Sequence, residues 1–160
     1  MPLVSITRFR ARAFWFVPMF MHHAQRSISQ IRSAKGCISL ALLKDRNRVF
    51  WTMTMWQDER SMKAYMTSGS HREAMPSLAD WADEASVAHW NQEHAERPDW
   101  NEAARRMRVE GRPVRLHHPS PHHNDLSFPA PCTTVDTLFE EFQRSDATMT
   151  LSTLLRQDVD

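Results

Sequence analysis

A histidine, His71, stands directly after a glycine break in a helical run, in "SGSHREAMP", Ser68 to Pro76. Imidazole donates, accepts or coordinates near neutral pH, so His71 can hydrogen-bond a ligand oxygen, remove a proton or bind a haem iron. The plainer alternative is a first-turn residue, because Ser70-x-x-Glu73 matches a capping box that starts a new helix. Trp51, Trp56, Tyr65, Trp81 and Trp90 either wall a pocket for a flat or polyene molecule or pack an ordinary core.

Other candidates carry less chemistry. Arg8, Arg10 and Arg12 alternate on one strand, where they can hold a carboxylate or phosphate or form a solvated edge that blocks strand pairing. His22 and His23 are adjacent on a helix, so their side chains diverge by about 100° and cannot chelate one metal; they are expected at the surface or at a cavity rim. His117, His118, His122 and His123 lie in a Pro-rich tract with no Cys or carboxylate pattern to fix a geometry, and no metal site is expected there. No G-x-S-x-G occurs, and three glycines in the whole chain leave no phosphate loop or dinucleotide fingerprint.

The elements that must position these groups follow from periodicity. The chain has 160 residues, 41% of them hydrophobic, with six Trp and ten Met that demand burial. A net charge of +1 gives no field to draw nucleic acid. Two distant cysteines, Cys37 and Cys132, form no framework, which points to a reducing cytoplasm, and no apolar run is long enough for a membrane span.

"LVSITRFRAR", Leu3 to Arg12, predicts a first strand. Pro18 opens a helix whose Val17, Met21, Ala24, Ile28 and Ile31 recur at 3–4-residue spacing up to Lys35-Gly36. "CISLALL" and "VFWTMTMW" flank the polar loop Lys44 to Arg48 and predict a hairpin. A helix reset at Ser68-Gly69 follows, and then a strand over Ala85 to Trp90.

The order β-α-β-β-α-β predicts a ferredoxin-like α+β domain. The second hairpin strand is apolar on both faces, with Phe50 and Trp56 on one and Trp51, Met53 and Met55 on the other. Two helices cover one sheet face only, so the other is expected to meet the same face of a second copy in a homodimer. Beyond Trp90, Asp99 is a candidate N-cap for a short helix. His117 to Pro131 is expected to be a linker, and Val135, Leu138, Phe139 and Phe142 share one face of an expected tail helix.

The run "TMTMWQDERSMKAYMTSGSHREAM" resembles the middle of the antibiotic-biosynthesis-monooxygenase-like proteins of the dimeric α+β barrel superfamily. The similar parts, within Pro2 to Glu93, are a strand ending in Trp56, an acidic helix start at Asp58-Glu59, Tyr65-Met66, Ser68-x-x-His71, and a strand ending in His89-Trp90. Within that superfamily the chain is most similar to a branch that resembles spheroidene monooxygenase, which oxidises carotenoids. The resemblance implies a homodimeric barrel with an apolar cavity between sheet and helices, and an oxygenase that is cofactor-free or haem-dependent. Haem degradation fits it poorly. The ligand histidine of that branch falls near Met75, its strand asparagine where Ser5, Ile6 and Thr7 stand, and its helix tryptophan at Tyr65.

Three segments result: a barrel domain over 1–94, a helical extension over 95–116, and a linker with a short helical tail over 117–160. The expected function is monooxygenase-like oxidation of a hydrophobic aromatic or polyene molecule, with His71, Tyr65 and Trp56 as catalytic residues. The other possibility is a non-catalytic ligand-binding or scaffold dimer.

Overall fold

The computed structural model describes residues 1–133 and 138–144, with 138–143 described by their backbone. Strand β1 (Leu3–Ala11) leads through a 3-10 turn at Phe14–Phe16 into α1 (Val17–Ser33), with Pro18 in its first turn. The hairpin β2 (Cys37–Lys44) and β3 (Val49–Trp56) turns through Asn47 and Arg48, both at positive φ. Helices α2 (Glu59–Met66) and α3 (Gly69–Trp81) precede β4 (Ala82–Asn91), and then come α4 (Trp100–Glu110), β5 (Arg112–Pro113) and β6 (Leu138–Gln143).

The strands form one antiparallel sheet in the order β5-β4-β1-β3-β2-β6. Its first four strands with α1 to α3 make the ferredoxin-like α+β fold. Side-chain alternation divides the sheet into two faces. Leu3 and Phe9 of β1 and Phe50 and Trp56 of β3 lie in the clusters formed with α1, α2 and α3. Val4, Ile6, Trp51, Met53 and Met55 lie in a separate cluster on the opposite face. No helix among the described residues is long and apolar enough to cross a membrane.

That opposite face is covered by the chain itself, which corrects the expected two-fold contact. Ala103 and Ala104 of α4 have side chains small enough to bring the helix close to the sheet, and Met107 fills the space beside them. Trp51, Met53 and Met55 are each 0% exposed in the single chain. The apolar surface that called for a second copy is therefore already buried.

The stretch expected to be a linker is a packed strap. Val114 donates from its N–H to the Ala85 carbonyl, and Ser120 donates from its hydroxyl to Glu84. Phe128 stacks edge-on against Trp51 with ring centroids 5.5 Å apart, and the Cys132 N–H donates to Asp45 near the β2–β3 turn. The strap thus runs from the β4 edge across the α4 face. Beyond it, the expected tail helix is replaced over Leu138–Gln143 by a strand paired with β2. A 3–4-residue apolar spacing fits a helix, but the open edge of β2 offers unpaired backbone groups, and that ladder outweighs local periodicity. Val135 lies outside the described residues.

The arginines of β1 are not a solvated edge either, because β1 lies between β3 and β4. Arg8 is 5% exposed, pairs with Glu84 at 2.7 Å and sits 4.4 Å from the centre of the Phe128 ring. Arg10 holds Asp83 through two bonds of 2.7 Å.

Candidate functional site

Between the sheet and helices α1 to α3 lies a cavity of about 170 Å³. His71, Tyr65 and Trp56 all line it. Its remaining walls are mostly aliphatic, thioether or aromatic, and among the described residues no Asp, Glu, Lys or Arg contributes to the lining.

The break between α2 and α3 sets the position of His71. The capping box expected there does not form: Ser68 is the N-cap residue, no side chain caps from that position, and Glu73 pairs with Arg26 at 3.1 Å. A glutamine from α1 does the work. Gln30 accepts from the His71 backbone N–H at 3.0 Å and donates to the carbonyls of Ser68 at 2.8 Å and Tyr65 at 3.2 Å. Gly69, at φ +56, permits the turn, and a Cβ there would press on the Gln30 amide. A local S-x-x-E pattern lost to a partner 41 residues away, because one amide satisfies both ends of the break.

The His71 ring donates from Nδ1 to the Met66 carbonyl at 3.2 Å, which assigns the tautomer and leaves the Nε2 lone pair without a partner among the described residues. Burial lowers the His71 pKa below the ordinary imidazole value, with the Met66 bond opposing, so the ring is neutral at pH 7. It packs on Tyr65 with centroids 4.9 Å apart. Burial raises the Tyr65 phenol above its usual range; its hydroxyl donates to the Ser27 carbonyl at 3.4 Å, so it is a wall and a donor, not a base. Trp56 stacks on Tyr65 at 5.2 Å and gives its indole N–H to Thr54 at 2.9 Å, so its ring face is what remains for a ligand.

Several lining residues were not singled out from sequence. His89 of β4 is half-buried, and burial followed by the nearby Arg112 lowers its pKa. Ser5 and Thr7 of β1 and Thr52 and Thr54 of β3 form the sheet side of the cavity. The signal was present: alternation puts Thr52 and Thr54 on the same face as Phe50 and Trp56, which makes them polar residues in a core position. His23 also lines the cavity, with its ring 5.2 Å from Trp81, whereas His22 is exposed. The four histidines of the strap do not converge. His117 pairs with Asp80, His122 lies near Asp125, and His123 bridges Ala85 and Val114. Among the described residues no group of metal-ligating side chains is assembled.

Haem does not fit this site. Pockets for drug-sized ligands run from about 300 Å³ upward, so a volume of about 170 Å³ is too small for a macrocycle. The lining also lacks any cation to meet carboxylate substituents.

With this geometry in view, the comparisons with known proteins are informative about family and fold. The chain belongs to the family described as Domain of unknown function (DUF3291), which matches residues 16–122. No curated protein matches it. Among solved structures, a conserved protein from Methanosarcina mazei Go1 superposes with a TM-score of 0.53 at 18% identity, covering 58% of this chain and 94% of that one. SnoaB, a cofactor-independent oxygenase from Streptomyces nogalater, superposes with a TM-score of 0.50 at 12% identity, covering 61% and 98%. An antibiotic biosynthesis monooxygenase gives 0.51 at 12% identity, covering 56% and 97%. The fold is therefore that of the antibiotic-biosynthesis-monooxygenase-like α+β proteins. The match covers nearly all of each neighbour but little more than half of this chain.

Proposed function

We propose that the chain is a monooxygenase-like enzyme that oxidises a small hydrophobic aromatic molecule without a bound cofactor. The observation that carries this proposal is a His71 that lines a mostly apolar cavity while its Nδ1 is engaged with Met66 and its Nε2 has no partner among the described residues. An engineered apolar cavity of about 150 Å³ holds benzene, so a volume of about 170 Å³ suits a one- or two-ring molecule better than a long polyene. His71 takes the proton of a phenolic hydroxyl, and the resulting anion is electron-rich at its para carbon. Dioxygen adds at that carbon, the hydroperoxide regains a proton, and loss of water leaves a quinone. The balance is phenol plus O₂ giving quinone plus H₂O, with the substrate supplying all the electrons. Apolar walls keep bulk water from the anion.

The two dispersed cysteines favour a reducing cytoplasm. The structural neighbour SnoaB is a cofactor-independent oxygenase, which supports the absence of a cofactor here.

The test is oxygen uptake on a panel of one- and two-ring phenols. His71→Ala should lower kcat/KM at least about tenfold, some 1.4 kcal/mol, while stability stays within roughly 1 kcal/mol of the parent. Turnover unchanged by the substitution would overturn the role of His71. Binding without oxygen uptake would favour a non-catalytic ligand carrier, a possibility supported by the engagement of both the Tyr65 hydroxyl and the Trp56 N–H with protein partners.

A further inference from the structure

The sheet side of the cavity carries more hydrogen-bonding capacity than its fold requires. Ser5 lies opposite Thr54 and Thr7 opposite Thr52 in the β1–β3 register, and His89 flanks Ser5 from β4. Opposed side chains on neighbouring strands stand about 5 Å apart, and successive residues on one face about 7 Å. The four hydroxyls therefore form a compact patch in the floor.

Thr54 is occupied, accepting from the Trp56 N–H at 2.9 Å. The hydroxyls of Ser5, Thr7 and Thr52 have no partner among the described residues. All three side chains are half-buried on interior strands whose far face is sealed by α4, so their residual exposure opens into the cavity. Polar groups in an apolar enclosure are ordinarily paired, and an unpaired one is destabilising. His71 lies on the helix side of the same space. Polar groups thus reach the cavity both from the sheet and from the helices, where His71 and His23 stand, and among the described residues no Asp, Glu, Lys or Arg joins them in the lining.

We infer that Ser5, Thr7 and Thr52 read a hydroxyl or carbonyl at the end of the ligand remote from His71, so that the site selects a neutral, two-ended molecule of one or two rings. Carboxylates and phosphates are disfavoured because no Lys or Arg among the described residues lines the space. This inference rests on the cavity being the ligand site, as proposed above, but not on turnover.

The experiment is direct binding of naphthalene, 1-naphthol and the dihydroxynaphthalene isomers, measured by ligand fluorescence. A site built around a second polar group rejects the analogue that lacks it. The best dihydroxy isomer should therefore bind at least about tenfold tighter than 1-naphthol, some 1.4 kcal/mol. Thr7→Val/Thr52→Val, which keeps β-branched residues on the strands, should abolish that preference while retaining the affinity for 1-naphthol within about threefold. Thr52→Ser, which keeps the hydroxyl, should retain the preference, and His71→Ala should weaken both ligands in proportion. A preference that survives the double valine variant, or no isomer exceeding 1-naphthol, overturns the inference and leaves the cavity standing. Failure of every naphthalene compound to bind overturns the cavity assignment and this inference with it.

Discussion

Replacing Gln30 by Ala tests what holds the α2–α3 break, and with it the position of His71. Among the bonds that the side-chain amide makes at the break are those to the His71 N–H at 3.0 Å and to the Tyr65 and Ser68 carbonyls at 3.2 and 2.8 Å. The first two are partly buried and the third is exposed to water that can replace it. Assigning about 1 to 1.5 kcal/mol to each of the partly buried bonds and under about 0.5 to the exposed one gives a loss of roughly 2 to 3 kcal/mol. For a chain of this size that is a fall in Tm of about 5–10 °C, read by thermal or urea unfolding. Ser70→Ala is the matched comparison. A true capping serine would lose about 0.5–2 kcal/mol, but Ser70 caps nothing and should stay within about 0.5 kcal/mol of the parent. Gln30 does not line the cavity, yet its loss should weaken ligand binding, because the backbone that carries His71 is no longer clamped. If Ser70→Ala costs more than Gln30→Ala, the break is held by local capping and the cross-helix clamp is wrong.

Two further outcomes follow from the same contacts. Both His71 and His89 have folded pKa values below the unfolded value of 6.5, so below that pH the unfolded chain binds more protons than the native one. The stability associated with these two rings should be fully present above about pH 7 and fall as pH drops through the folded values; the fall should be smaller in His71→Gln/His89→Gln, measured by urea midpoints across pH 5 to 8. Because Trp51, Met53 and Met55 are buried under α4 within one chain, any dimer that sedimentation at micromolar concentration detects should have its interface elsewhere than on this sheet face, and cross-linking between copies through that face would refute the cover by α4.

The fold was legible wherever local patterning and burial agree. Pro18 and the spacing from Val17 to Ile31 define α1, the polar Lys44 to Arg48 loop turns the hairpin, and the β-α-β-β-α-β order follows. The break at Ser68-Gly69 was legible too, but its partner was not, because Gln30 lies on a different helix and nothing in its neighbours marks it. The same limit explains β1. Alternating arginines look like a solvated edge until Asp83 and Glu84, more than seventy residues away, arrive to pair with them. The strap failed for another reason: its contacts are single, non-periodic anchors such as Phe128 and His123, which leave no repeat to read. His71, Tyr65 and Trp56, which all line the cavity, were singled out because aromatic and imidazole groups stand out, whereas Ser5, Thr7 and Thr52 passed as ordinary strand residues. Threonine has a high strand propensity, so the hydroxyls gave no signal until the face they share was known.

The covered face and the cavity are mechanically one object. Strand β1 alternates between them: Ser5 and Thr7 look into the cavity, whereas Ile6 packs on the α4 side and Arg8, next along the strand, looks toward the strap. Arg8 is tied to Glu84 of β4 at 2.7 Å, with both residues under 10% exposed, and Phe128 closes over the pair. A buried pair of this kind contributes little net stability compared with apolar packing, yet breaking it is costly, so it penalises any slip of β1 against β4. Those are the two strands that carry Ser5, Thr7, Val87 and His89 into the floor. A slip of one residue would turn the hydroxyls to the α4 side and Arg8 into the apolar cavity. The strap and α4 therefore do more than cover Trp51. They hold in register the strands on which the polar floor is built, and a functional site keeps its geometry only when the layer behind it is fixed.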